Sequence, residues 1–328
     1  MTSKIDGSAA AGVQPTASAA QKRGAPRHGL HKHVTCPFCG IHCDDLEVES
    51  SASGVVVRGN GCDKAKAGFE RKVSGAGVGG ATPTVGGKPA TLEQAVRRAA
   101  QLIGEARLPA FGGLATDVEG MRAVMALADR SGGVVDHALS EAQFRNFKVL
   151  QSTGWITSTL TETRNRADLI VIVGSDIHKV HPRFFERVVN PKETMFELPG
   201  GKRSVVFIGS GLDQSAARGP LVADVTTIDC PLDRVGDVAS ALRMVMAGRP
   251  LAGADVAGVP VAALQAFAER LRKASYPVFV WAPPSLTFPD ADLAVLALSQ
   301  LVRDLNVTGR PHEALLDLAR IERNGGGD

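Results

Sequence analysis

Two spacings of apolar residues alternate along this chain, one of helical period and one of strand length. In "TLEQAVRRAAQLIGEA", Leu92, Ala95, Val96, Ala99, Leu102 and Ile103 fall on one face of a helix, and Thr91 with Gln94 makes a capping box at its start. "LPAFGGL" then reads as a short strand, "DVEGMRAVMALADRSG" as a helix closed by glycine, and "GVVDH" as a second short strand. "ADLIVIVGSD" is the clearest strand, since Leu169 to Val173 is an unbroken β-rich run that suits burial on both faces of a parallel sheet. "RSVVFIGS" and "ADVTTID" repeat it, followed by a helix from about Leu232 to Ala247. "VPVAALQAFAERLRKA" is amphipathic through Leu264, Phe267, Ala268 and Leu271, and "YPVFVWAP" is another buried strand before the helix of "DADLAVLALSQLVRDL". Alternating strands and helices predict an α/β fold with doubly wound, mostly parallel sheets. Ligands in such sheets sit beyond the carboxyl ends of the strands.

Ahead of this pattern, "LEVES" and "GVVVRG" are separated by "SASG" and read as a hairpin. The expected organisation is a disordered tail over 1–33, a small cysteine-bearing β module over 34–80, and two α/β domains over 81–200 and 201–328. The tail is rich in Ala, Ser and Gly and lacks an apolar run of signal-peptide type.

Composition narrows the function. The 328 residues are 44% apolar and carry a net charge of +3, from 37 basic and 34 acidic side chains. That balance argues against a nucleic-acid partner. No segment approaches the roughly 18 consecutive apolar residues that a bilayer span needs, so neither a membrane nor any compartment but the cytoplasm is expected.

Five cysteines in so long a chain are too few for a secreted disulfide framework, and four of them are clustered. "TCPFCGIHCDD" places Cys36, Cys39 and Cys43 in one turn-rich loop, and the hairpin can bring Cys62 of "NGCDKAKAGF" back to them. Four thiolates fit a [4Fe–4S] cluster or tetrahedral zinc. Three ligands crowded into eight residues favour the cluster over a zinc ribbon, while unmetallated thiols are the plain alternative. Asp44 and Asp45 either orient the loop through hydrogen bonds or are simply solvated. His28, His31 and His33 read as tail, and Cys230 as a buried small hydrophobe. No Gly-x-Ser-x-Gly elbow, phosphate-binding Gly-x4-Gly-Lys-Ser/Thr loop or His-Glu-x-x-His helix is present, and no catalytic residue stands out.

"CPFCGIHCDD" with "NGC", "TVGGKPATLEQAVRRAAQLI", and "ETRNRADLIVIVGSDIHKVHPRFFER" together resemble the B subunit of formylmethanofuran dehydrogenase, from about residue 34 to about 307. That family belongs to the molybdopterin-dependent oxidoreductases. The resemblance implies Cys36, Cys39, Cys43 and Cys62 as ligands of a [4Fe–4S] cluster that serves a tungsten or molybdenum pterin. It also implies a nucleotide cradle at the end of the strongest strand, with Gly174, Ser175 and Asp176 in the loop and His181 and Arg183 in the "HPR" motif. A strand-end glycine followed by a capping Asp shapes any such loop, so a purely structural role stays open there. His178 and His181 share no third ligand and are not expected to hold a metal.

Two departures shift the expectation. Where the family has a metal-ligating cysteine and a histidine, this chain has Asp136 and His137, and no cysteine lies between Cys62 and Cys230. The sequence also stops at "ERNGGGD", where the dehydrogenase subunit generally continues. Both departures point to the related B subunit of the bacterial formyltransferase/hydrolase complex. The resemblance then implies a scaffold with no Mo/W pterin. Its partners would be the other subunits and the methanofuran-like carrier that the complex holds. The alternatives are a redox-active dehydrogenase subunit with cluster and pterin, and a zinc-stabilised binding module.

Overall fold

A computed structural model describes residues 28–71, 82–114 and 116–307, and the backbone of 314–317. The chain opens with β1 (Gly29–Val34), β2 (Leu46–Ser51) and β3 (Gly54–Gly59), a three-stranded antiparallel sheet. Helix α1 (Asp63–Phe69) follows it. A hairpin of β4 (Thr84–Val85) and β5 (Lys88–Pro89) leads into α2 (Leu92–Glu105). Strand β6 (Ala110–Phe111), helix α3 (Val118–Ser131) and strand β7 (Val134–Val135) form a small parallel β-α-β unit.

Helices α4 (Ser140–Thr153) and α5 (Leu160–Arg166) precede β8 (Leu169–Val173). Next come α6 (Ile177–Val180), a π-helical turn at Phe185–Val189, β9 (Arg203–Ile208), β10 (Val222–Ile228) and α7 (Val235–Met246). A second hairpin, β11 (Asp255–Val256) with β12 (Val259–Pro260), precedes α8 (Val261–Lys273), β13 (Pro277–Trp281), α9 (Ala291–Val307) and β14 (Ala314–Asp317).

The architecture is α/β around one five-stranded parallel sheet in the order β10-β9-β8-β13-β14. Strand β8 is central, and each of its five residues is buried, as the unbroken apolar run requires. Alternation divides the side chains between two cores. Leu169, Val171 and Val173 join Val206, Ile208, Phe279 and Trp281 against α4, α7, α8 and α9. Ile170 and Ile172 join Val205, Phe207, Val278 and Val280 on the opposite face. What covers that second face is the cysteine module, through Cys36, Ile41, Cys43, Leu46, Val48, Val57 and Ala65, together with Phe184, Phe185 and Val188. The module is therefore a layer of the main core.

Arg203 opens β9 fully buried. Its Nη1 donates to the carbonyls of Thr163 (3.2 Å) and Val188 (3.1 Å), and its Nη2 to that of Arg164 (2.8 Å). The cation thus binds two carbonyls of the last turn of α5, where a helix dipole favours positive charge, and one of the π-helical turn.

Several expectations change. Residues 29–33, read from sequence as tail, belong with Val34 to β1, because their backbone pairs with β2; residues 1–27 lie outside the described residues. The expected boundary at residue 200 does not divide the sheet, since β8 pairs with β9 on one side and β13 on the other. Cys62 caps α1, a helix that the apolar spacing does not announce. Helix α4 is equally silent in the sequence: it buries Gln143 and Asn146, polar residues that blur an apolar period. The Thr159–Glu162 capping box is the sequence signal for α5. Among the described residues no helix is long and apolar enough to cross a membrane.

Candidate cysteine centre and strand-end loop

The loop between β1 and β2 carries three of the cysteines. It is closed by Cys36, whose backbone N–H donates to the Cys43 carbonyl at 2.8 Å. His42 takes the left-handed conformation (φ 51°), which turns the chain ahead of Cys43. Phe38 stands edge-on to Phe69 of α1 at 5.0 Å, and its ring lies over Gly68 so closely that a Cβ there would meet it at 2.3 Å. Any side chain at residue 68 displaces the Phe38 ring from this packing.

Cys36 and Cys43 are buried, Cys39 and Cys62 are half-buried, and no disulfide joins any of the five cysteines. Cys36 lies near enough to Cys39 and Cys62 to feel their charge, as Cys43 does that of Cys39. Burial raises the Cys36 thiol and pushes Cys43 up to about 11, against the opposing pull of Arg183 and Arg187. Both rest as thiols at neutral pH, so a metal would have to displace their protons. Among the described residues no group of three or more His, Cys, Asp and Glu side chains is closed up as a metal site. The donor set nevertheless fits a thiolate-bound metal: four sulfurs outside any disulfide, in one layer, on a loop and the start of a neighbouring helix. His31 bonds the Ser50 hydroxyl at 3.0 Å and His28 is exposed.

The loop after β8 gathers the residues that the resemblance implies for a nucleotide. Gly174 is left-handed (φ 56°), and a Cβ there would lie 2.9 Å from Leu286. Its N–H donates to the Ile208 carbonyl at 2.9 Å. Ser175 is fully buried, its Oγ accepting the Ala282 N–H at 3.0 Å. Asp176 Oδ1 accepts the Asp213 N–H at 2.7 Å. These bonds lock together the ends of β8, β9 and β13.

His181 is 1% exposed with no partner for Nδ1, and burial, helped by Lys64, pulls it down to about 4. It is a neutral ring in the core. Arg183 is buried, and each of its five N–H groups is engaged: Nε with Glu186 (2.8 Å), Nη1 with Asp45 (2.7 Å) and the Asn60 carbonyl (2.6 Å), Nη2 with Asp45 (2.7 Å) and Glu186. No donor remains for a phosphate or a base. Arg187 pairs with Asp44 and, at 2.9 Å, with Asp45. The Arg183 hydrogen bonds hold the Asp45 carboxyl below the usual range. The two aspartates after the third cysteine therefore orient the loop, by pairing with a motif some 140 residues downstream in the fold's second core.

Asp136 and His137 follow β7. Asp136 is exposed and its Oδ1 accepts the His137 N–H at 3.0 Å, while His137 Nδ1 accepts the Leu139 N–H at 3.3 Å. Cys230 is 1% exposed inside the helical-face core and burial pushes it up to about 11, as a packed small hydrophobe.

No family model matches the chain. The B subunit of the tungsten-containing formylmethanofuran dehydrogenase 2 of Methanococcus maripaludis is 29% identical over 238 residues, 70% of this chain and 54% of that protein. Its counterpart from Methanocaldococcus jannaschii is 29% identical over 236 residues. The Fhc B subunit of the formyltransferase/hydrolase complex of Methylorubrum extorquens is 26% identical over 226 residues, 69% of this chain and 57% of that one. The crystal structure of the FhcABCD complex with methylofuran from the same organism contains a chain that superposes with TM-score 0.57 at 25% identity, over 70% of this chain and 58% of that chain. This chain is similar to these B subunits and to that chain of the complex. It spans somewhat more than half the length of the relatives it matches.

Proposed function

We propose that the chain is the scaffolding B subunit of a formyltransferase/hydrolase complex, working in the formaldehyde-to-formate branch of one-carbon metabolism. The observation that carries this reading is the joint similarity, in sequence to an Fhc B subunit and in three dimensions to a chain of an FhcABCD complex. Its partners are then the other subunits, and the methanofuran-like carrier is held by the complex. Its fold is read as doubly wound, with 84–135 as part of a second α/β domain beside the main sheet.

The four cysteines hold a metal that stabilises the N-terminal module, as a [4Fe–4S] cluster or as zinc. A Mo/W pterin is not part of this reading. Two features of the chain support that: Gly174, Ser175, Asp176, His181 and Arg183 have their polar atoms turned to the protein's own core and loops, and by the resemblance Asp136 takes the place of the family's metal-ligating cysteine. The similarity to the tungsten-containing dehydrogenases favours one alternative, a redox-active subunit.

The test is affinity purification of the tagged full chain from its own host, followed by mass measurement and assay of formyl transfer. A stoichiometric assembly with homologues of the other complex subunits is expected. A chain that runs as a monomer without them, in cells that express them, contradicts the proposal. Formate oxidation by the assembly would favour the redox alternative.

A further inference from the structure

The two segments that carry the cysteines meet at one guanidinium. Arg183 Nη1 donates to Asp45 Oδ1 at 2.7 Å and to the Asn60 carbonyl at 2.6 Å, while Nη2 takes Asp45 Oδ2 at 2.7 Å. Asp45 lies two residues after Cys43, and Asn60 two residues before Cys62. The triangle is closed by Asn60 itself, whose Nδ2 donates to the Asp45 carbonyl at 2.8 Å. Asn60 adopts φ 59°, a left-handed turn that presents its carbonyl there. On the far side of Cys62, Lys64 Nζ donates to the Val180 carbonyl at 2.6 Å. The loop of three cysteines and the helix start bearing the fourth are thus each tied to the segment after β8, and Arg183 alone of these groups bonds both.

We infer that Arg183 is a positioning residue for the cysteine centre, setting Cys62 against the loop that holds Cys36, Cys39 and Cys43. This rests on the reading of the four cysteines as one metal site. The geometry demands arginine. A planar fork can grip a carboxylate with two nitrogens and still aim an N–H at a carbonyl, whereas an ammonium on a flexible stem fixes no such triangle. Glu186 on the outer side holds the fork in plane, which leaves the inner edge to do the bridging.

The experiment uses the full chain, purified anaerobically, with Co2+ alone as the probe. Wild type should bind one ion with the charge-transfer band of four thiolates. Arg183→Gln should bind about tenfold more weakly, the order lost when support behind a metal site is removed, with the weaker band of three thiolates. Arg183→Lys should not restore the fourth. Glu186→Gln, which leaves the Asp45 and Asn60 bonds in place, should keep the wild-type band.

A second measurement needs no metal. With Cys39 and Cys43 replaced by Ser, dibromobimane cross-links Cys36 to Cys62 in proportion to their proximity, and Arg183→Gln should lower the yield severalfold while circular dichroism shows the fold intact. Equal cobalt bands and equal cross-linking in wild type and Arg183→Gln overturn the inference. If wild type takes no cobalt, the metal reading fails, and the cross-linking contrast still decides whether Arg183 positions Cys62.

Discussion

Residues 84–135 and residues 169–281 are built from the same alternation of short apolar strands and amphipathic helices, yet only the second has a core. Every residue of β8 and β13 is buried, whereas α2 buries none and α3 buries Ala128 alone. Leu92 and Val96 are 71% and 58% exposed, although they lie on the face that the helical period marks as apolar. Amphipathicity shows that a segment will form a helix and which face seeks burial. It does not say what covers that face. The helix is instead secured locally, by the Thr91–Gln94 capping box and the Glu93–Arg97 pair.

This contrast can be broken from either side. Trp281→Ala should cost about 3 to 5 kcal/mol, because the ring is fully buried against Trp155 at 5.7 Å and its removal leaves a cavity; urea unfolding followed by circular dichroism reads it. His181, pulled down to about 4 in the second core, makes stability acid-sensitive. Its stabilisation is complete above the unfolded value near 6.5, falls as pH drops below that, and is lost once pH passes through about 4. The loss is about 3 kcal/mol. His181→Leu should flatten unfolding midpoints across that window. A further acid loss should persist below the normal carboxylate range, where Asp45 is protonated and releases Arg183.

Smaller effects belong to the exposed region. Thr91→Ala should cost about 1 kcal/mol of helix stability, measured as loss of helical signal. Leu102→Ser should stay within about 0.5 kcal/mol on the free chain, since the side chain is 51% exposed. A large destabilisation by Leu102→Ser would mean that this face is already packed in the free chain.

What sequence reveals follows the same division. The five apolar residues of β8 and the stripe Leu264, Phe267, Ala268 and Leu271 of α8 are legible because burial on both faces, or on one stripe, leaves a regular period. The hairpin β2–β3 and the α2 capping box are legible through turn and cap chemistry. Helix α4 is not, since it buries Gln143 and Asn146, and neither is α1, whose cap is a cysteine without a side-chain bond.

At the site, clustering of Cys36, Cys39, Cys43 and Cys62 in one layer is readable from spacing and a hairpin. The destination of Arg183 is not. Beside the local Glu186, its partners Asp45 and Asn60 lie more than 120 residues away in sequence and leave no local pattern. Within the motif "HPR" the arginine bonds across layers, which its position in a loop does not announce.

The reading of this chain as a scaffold with a structural cysteine centre is tested most directly by elemental analysis of the complex purified anaerobically from its host. The account predicts four iron atoms, or one zinc, for each chain, with tungsten and molybdenum far below one per chain, in keeping with four thiols. Tungsten or molybdenum near one per chain would contradict it, and so would the absence of both iron and zinc.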